Sequence, residues 1–293
     1  MIPPRFSPFS GVFVRYPLVI DTNHLETTLN QAEDNLIQEK KEPHIVVNDM
    51  TLAYGSNVVQ RNVSFTVNHG DVFIIMGGSG CGKSTTMRGL TGLKPPSTGT
   101  IHYDKVDFYG STDVMNRIRR NLGVMFQSGA LWSSMTLAEN VALPLEQYTS
   151  LSPRQIRKIV SLKLSLVSLG GFENYYPSQI SGGMRKRVGV ARAMAMDPEV
   201  LFFDEPSAGL DPVSARLLDD LILQLQDSLK TTMVIVTHEL ASIFAIGSNS
   251  VFLDPETKTA IAHGDPKKLL AESNDPKVIN FLTRGEGRGA VSA

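Results

Sequence analysis

Cysteine is nearly absent from these 293 residues: Cys81 is the single one. No disulfide can form within the chain, so a scaffold held by cross-links is excluded, and the composition fits a reducing compartment, the cytosol. Charge of one sign is also missing. Against 28 Lys and Arg stand 29 Asp and Glu, a net charge of -1. Such a chain offers no broad electropositive surface to a phosphodiester backbone, so no nucleic-acid partner is expected. Long apolar runs are lacking as well: nothing approaches the roughly 18 residues a membrane span needs, the best short stretches being 200–203 and 233–236. A membrane role would be served from outside the bilayer. What remains is a chain long enough for one large α/β domain or two small ones.

Residues 1–43 differ from the rest and are read as a tail and linker, expected to be flexible. The apolar stretch 11–20 follows a basic residue but is interrupted by Arg15 and Pro17, with no small-residue cleavage site after it. Two readings stand for it, a tail and a surface-associating segment, and residues 25–40 could form a short helix. A domain is expected over 44–282. It opens with runs rich in Val, Ile, Phe and Thr, which predict strands, the last of them Asp71 to Met76. A glycine-rich loop and a helix from Lys83 follow. A hairpin is expected at 99–108, a basic helix at 113–121 and a buried strand at 122–127. From Thr136 to Leu169 the spacing is helical, with breaks expected at Pro144 and Pro153, giving a helical subdomain at about 128–185. Beyond Ser181 strands and helices alternate (200–204, 212–229, 232–237), which implies a mainly parallel sheet. A hairpin at 250–263, two helices parted by Asn274-Asp275-Pro276, and a disordered tail at 283–293 complete the reading.

Three segments carry chemistry. Gly77-Gly78-Ser79-Gly80-Cys81-Gly82-Lys83-Ser84-Thr85 is a phosphate loop between a strand and a helix: glycines let the backbone curl round phosphates, Lys83 neutralises them, and Ser84 supplies a hydroxyl to Mg²⁺. Cys81 is either a small residue that fits this turn or a redox sensor. Val200 to Pro206 is an apolar strand ending in two acids, Asp204 for the Mg²⁺ shell and Glu205 as general base toward water. Ser181-Gly182-Gly183 opens a helix and offers amides, a hydroxyl and a positive dipole end to an anion.

With these in order, residues from about 44 to 282 resemble an ABC transporter nucleotide-binding domain, a P-loop NTPase fold of class α/β with a mainly parallel core sheet, an antiparallel β subdomain and a helical subdomain. The resemblance implies an ATPase using ATP and Mg²⁺. It implies that Gln127 reaches the metal and senses a membrane partner, that Asp211 is the acid of a loop crossing a dimer, and that His238 contacts the γ-phosphate. Tyr54, 29 residues before Lys83, matches the aromatic that stacks on adenine, core packing being its other reading. In this family two domains meet head to tail, each phosphate loop facing the other's Ser181-Gly182-Gly183 turn; with one copy of each motif, this chain would pair, as a homodimer or with a related subunit.

Lys83 and Ser181 lie only 98 residues apart, which leaves no room for the long coiled coils of DNA-repair relatives. Met184 and the runs 183–215, 126–145 and 237–254 resemble the ATPase of Mla or Mce-type lipid transport systems. That implies a peripheral subunit at the cytoplasmic face of a bacterial inner membrane, energising phospholipid transport between inner and outer membranes. Its partners would be a multi-pass permease and a periplasmic Mce-domain lipid-binding protein. Leu131, Trp132 and Met135 are either core or part of a groove for a permease helix. Another ABC transporter and a soluble iron–sulfur assembly ATPase are the alternatives.

Overall fold

The computed structural model describes residues 42–285. The segment 11–20, the helix considered at 25–40 and most of both expected tails lie outside them. Glu42 and Pro43 already belong to the fold, the Glu42 carbonyl accepting from the His69 N–H at 2.9 Å. At the other end Thr283, expected in the C-terminal tail, is buried.

Two sheets form the framework. β1 (Pro43–Tyr54), β2 (Asn57–Asn68), β4 (Thr98–Tyr103) and β5 (Val106–Asp107) make an antiparallel sheet in the order β2-β1-β4-β5. The larger sheet has the order β10-β9-β3-β8-β7-β6, from β3 (Val72–Gly77), β6 (Leu122–Met125), β7 (Val200–Asp204), β8 (Thr232–Val236), β9 (Asn249–Asp254) and β10 (Thr259–His263). It is parallel from β9 to β6, and only β10 runs antiparallel.

The period of two within these strands divides the core. Phe73 and Ile75 of β3, Phe202 of β7 and Val234 and Val236 of β8 face the antiparallel sheet, burying Ile45, Leu52, Phe65 and Ile101. Their neighbours Ile74, Met76, Leu201, Phe203, Met233 and Ile235 face the helical layer. A sheet covered on both faces requires continuous apolar strands, which is how VFIIM and VLFF read. Each fully buried Ile, Phe or Val contributes roughly 1.5–3 kcal/mol.

Helix α1 (Lys83–Leu90) follows β3, and α2 (Thr112–Arg119) precedes β6. The helical subdomain holds α3 (Leu137–Tyr148), α4 (Pro153–Leu166) and the start of α5 (Gly182–Ala193). The remaining helices are α6 (Pro212–Leu229), α7 (Leu240–Ile246), α8 (Pro266–Glu272) and α9 (Pro276–Leu282). Pro153 starts α4 rather than interrupting a helix. Pro144, expected to break the helical run, lies inside α3. The helix tolerates it because its first turn is fixed twice. Thr136 and Glu139 form a capping box, and the buried Asn140 side chain bonds Trp132 N–H and the carbonyls of Trp132, Met135 and Thr136. These bonds and the buried Leu137, Val141 and Leu145 offset the cost of about 3 kcal/mol for an interior proline.

The consequence for chemistry is one shared edge. β3, β6, β7 and β8 are parallel, so their carboxyl ends, and the loops that leave them, emerge together. Those loops begin at Gly78, Phe126, Glu205 and Thr237.

Candidate nucleotide site

Gly77 ends β3 at φ 145, where a Cβ would lie 2.3 Å from the Leu253 carbonyl oxygen of β9. Only glycine allows the chain to turn out of the sheet there. Gly82, at φ 95, caps α1 without a side chain, so the first N–H groups of the helix keep their donors and dipole directed at the loop. Ser79 and Gly80 are exposed at its rim. Lys83 is buried, and its ammonium donates to the carbonyls of Gly77 at 2.9 Å and Gly78 at 3.1 Å. Cys81 is buried against the β-layer core, its carbonyl accepts from Gln60 Nε2, and burial pushes its thiol pKa up. A protonated, packed thiol is a poor redox sensor.

The two acids sit at the end of β7. Ser84 Oγ donates to Asp204 Oδ1 at 3.0 Å, so the phosphate-loop helix and β7 meet through a hydroxyl and a carboxylate. Glu205 adopts φ 49, and its N–H continues the ladder to Val236 at 2.8 Å. A left-handed residue that is not glycine costs on the order of 1–3 kcal/mol and must be held by its surroundings. Here it turns the Glu205 side chain toward His238, whose Nδ1 lies 2.8 Å from Oε1. The other oxygen, Oε2, is buried and has no protein partner. The His238 side chain is 55% exposed while that of Glu205 is 12% exposed, so the histidine is the outer member of the pair. Hard oxygen donors at Ser84 and Asp204, with an unpartnered carboxylate oxygen on the next residue, are the donor chemistry that Mg²⁺ takes.

Lys186 connects this edge to the helical layer. Its buried ammonium donates to the carbonyl of Gln127 and, at 3.4 Å, to that of Glu205. Burial lowers the Lys186 pKa, and the charges of Glu205 and Asp204 push it back up. Helical period was the available signal: Lys186, Val190 and Ala193 share the buried face of α5. From the same helix Arg192 donates to the carbonyls of Gly129 at 2.8 Å and Ala130 at 2.7 Å.

A groove of about 780 Å³ collects Gly77, Gly78, Ser79, Gly80, Gly82, Lys83, Ser84, Thr85, Gln127, Glu205 and His238. Val59, Leu240, Asn280, Phe281 and Arg284 line it too. No local motif marks these five, and α9 reaches the groove only through the tertiary fold. Tyr54, Ser181, Gly182, Gly183 and Asp211 are not among its walls. Tyr54 is 46% exposed at the end of β1, with Lys94 over its ring at 4.8 Å, so it is not core. Ser181 is exposed and caps α5, accepting from Met184 N at 3.2 Å. Asp211 caps α6, accepting from Val213 N at 3.1 Å and Ser214 N at 3.0 Å; the Ser214 side chain, then the Ser214 N–H, hold its carboxyl below the usual range. Trp132 is 58% exposed, whereas Leu131 packs on the core.

Residues 60–208 match the ABC transporter family. The Mycobacterium tuberculosis protein named "Probable ribonucleotide transport ATP-binding protein mkl" is 40% identical over 239 residues, 81% of this chain and 66% of its own length. The Haemophilus influenzae "Intermembrane phospholipid transport system ATP-binding protein MlaF" is 36% identical over 248 residues, 84% of this chain and 92% of its own length. Among solved structures, the ATP-binding cassette MJ0796, a dimer bound to ADP and Pi in a post-hydrolysis state, superposes with a TM-score of 0.68 at 29% identity, covering 75% of this chain and 98% of that one. The phosphate loop, the acids at the end of β7 and these likenesses agree: the chain belongs to the ABC transporter family, as one of its ATP-hydrolysing domains.

Proposed function

We propose that this ATPase energises phospholipid transport between the inner and outer membranes of a bacterium. It would act as a pair of copies at the cytoplasmic face of the inner membrane, with a multi-pass permease and a periplasmic Mce-domain lipid-binding protein. The observation that carries the cargo is coverage: the likeness to the phospholipid-system protein runs through 92% of that protein. The chain spans about two thirds of the ribonucleotide-system relatives, 66%. Their higher identity, 40%, keeps a ribonucleotide cargo as the second reading. No helix among the described residues is long and apolar enough to cross a membrane; in this reading the permease is another chain.

In this reading Lys83 and the amides from Gly78 to Thr85 bind the β- and γ-phosphates, and Tyr54 stacks on adenine. Ser84, Asp204 and Gln127 would hold Mg²⁺, which when bound neutralises phosphate charge. Glu205 takes a proton from the water whose oxygen attacks the γ-phosphorus as ADP leaves, and His238, bonded to Glu205, orients that carboxylate and meets the γ-phosphate. The Ser181-Gly182-Gly183 turn, with Ser181 exposed and the whole turn outside its own groove, serves the ATP of the second copy, with Asp211 beside the crossing. A second groove of about 740 Å³, lined by Phe126, Leu143, Pro144, Tyr148 and Arg192, would take a permease helix; Leu131, Trp132 and Met135 are not among its walls.

Two experiments test this. Mixing a Ser181→Ala chain with a Lys83→Ala chain should restore one working site and measurable phosphate release; two inactive parents that stay inactive when they co-sediment as mixed dimers would refute the shared site. Purification of the detergent-solubilised complex, with mass spectrometry of bound molecules, should return a permease and phospholipid. Recovery of a soluble complex alone, or of a permease with no phospholipid enriched over the detergent control, would refute the cargo; ATP and ADP are expected on the ATPase in either case.

A further inference from the structure

Away from the nucleotide groove, one strand start and two turns bring two imidazoles and a carboxylate together. His44 lies at the start of β1, His69 in the turn between β2 and β3, and Asp104 in the turn between β4 and β5. One ligand atom from each lies within 4.8 Å of the others. His69 Nε2 is 2.7 Å from Asp104 Oδ1, and His44 Nε2 is 3.9 Å from Asp104 Oδ2, beyond hydrogen-bond reach. We propose that His44, His69 and Asp104 form a binding site for a divalent transition-metal ion, Zn²⁺ by preference, with water completing the shell.

Three features support it. First, the donor set is two imidazoles and one carboxylate, which suits Zn²⁺, Co²⁺ or Ni²⁺ over Mg²⁺ or Ca²⁺. Second, His44 is positioned as a metal ligand is. Its ring is buried, and Nδ1 lies 2.7 Å from Thr232 Oγ1 at the start of β8. In the tautomer with Nδ1–H donating to that oxygen, which also accepts from Gly70 N–H at 3.0 Å, the lone pair of Nε2 is turned to Asp104. Third, the movable ligands are the outer ones. His69 and Asp104 side chains are 47% and 51% exposed, and a cavity of about 300 Å³ opens beside the two histidines.

Zinc bonds of about 2.0–2.2 Å in a tetrahedral shell place ligand atoms about 3.3–3.6 Å apart, so the widest pair, now within 4.8 Å, must close by about 1 Å or a little more, which the exposed His69 and Asp104 side chains supply. The His44 and His69 rings now stack at 3.8 Å with 12° between planes, so the His69 ring must also tilt to aim its lone pair at the ion. An ion held there would fasten the start of β1 to the β2–β3 and β4–β5 turns and, through Thr232, to the central sheet. Such a clasp stabilises the fold without touching the ATP groove.

The test uses the full, untagged chain. Co²⁺ titration followed by visible absorption, and Zn²⁺ competition against a chromophoric chelator, should give one ion per chain with a micromolar or tighter Kd. Saturating Zn²⁺ should raise Tm by about 5 °C. His69→Gln and Asp104→Asn change exposed side chains, and each should weaken Zn²⁺ at least tenfold and abolish the Tm shift while leaving ATPase activity intact. His238→Ala, at the nucleotide groove, should leave Zn²⁺ binding unchanged. No stoichiometric ion, an affinity unaltered in His69→Gln and Asp104→Asn, or binding lost with His238→Ala would each overturn the proposal.

Discussion

Replacing Glu205 by Gln separates proton transfer from everything else this residue does. The substitution keeps volume and keeps an Oε1 to accept from His238 Nδ1, now at 2.8 Å. The buried Oε2, which has no protein partner, becomes an amide N–H₂ in the same place. One unsatisfied buried group replaces another, so the terms of about 1–3 kcal/mol that attend such groups largely cancel. Loss of the negative charge removes one of the two carboxylates that support the Lys186 ammonium, a modest destabilisation. The fold should therefore survive with stability altered by about 1 kcal/mol. Activity should not survive. A positioned general base contributes about 10²–10⁴ in rate, which is about 2.7–5.5 kcal/mol of barrier. Phosphate release at saturating ATP should fall by at least a hundredfold, while nucleotide binding persists and the chain sediments as an ATP-trapped dimer. Turnover within tenfold of the parent, in a variant shown to be folded by its Tm, would remove Glu205 from the role of proton acceptor.

Three further outcomes are expected. Gly123→Ala in β6 places a Cβ 2.2 Å from the Ala193 carbonyl oxygen and 2.7 Å from Leu201 Cδ2; backbone must shift, costing about 1–3 kcal/mol and lowering Tm in calorimetry, and an unchanged Tm would refute this packing. Asp254 is pushed up by burial but pulled further down, to about 2, by Thr257 and Lys277; its contribution is therefore present above about pH 4 and lost as pH falls toward 2. Asp254→Asn should flatten the acid limb of the urea-midpoint profile, and a limb as steep as the parent's would count against it. Lys186→Met keeps the stem but removes the donor shared by Gln127 and Glu205 carbonyls; ATPase activity should drop at least tenfold in a folded protein, and normal turnover would show that this link is dispensable.

The strands and the phosphate loop were legible because their signals are local. Continuous Val, Ile and Phe runs need a sheet buried on both faces, and a glycine-rich stretch between strand and helix has few other uses. Pro144 was misread because a proline's local cost was weighed without the capping box and the Asn140 network that offset it. Lys186 was overlooked because charge suggested solvent while helical period placed it inside. Asn280, Phe281 and Arg284 could not be found at all: they are about 200 residues from the phosphate loop in sequence, and only the packing of α9 brings them to its groove.

What the sequence could not convey is how its motifs are joined. Helix α5 begins at the Ser181 turn, and its third and ninth residues beyond the two glycines act on other loops. Lys186 holds the Gln127 carbonyl and reaches the Glu205 backbone; Arg192 holds Gly129 and Ala130. The Ser181 turn, the loop at Gly129 and Ala130 and the backbone of Glu205 are thus tied to one rod. A rotation of that rod against the central sheet cannot move Ser181 without straining charge-assisted bonds to the other two, each worth about 1.5–3 kcal/mol. If two copies pair through the Ser181 turn as proposed, closure of that pair and placement of Glu205 would be coupled through the bonds of Lys186 and Arg192.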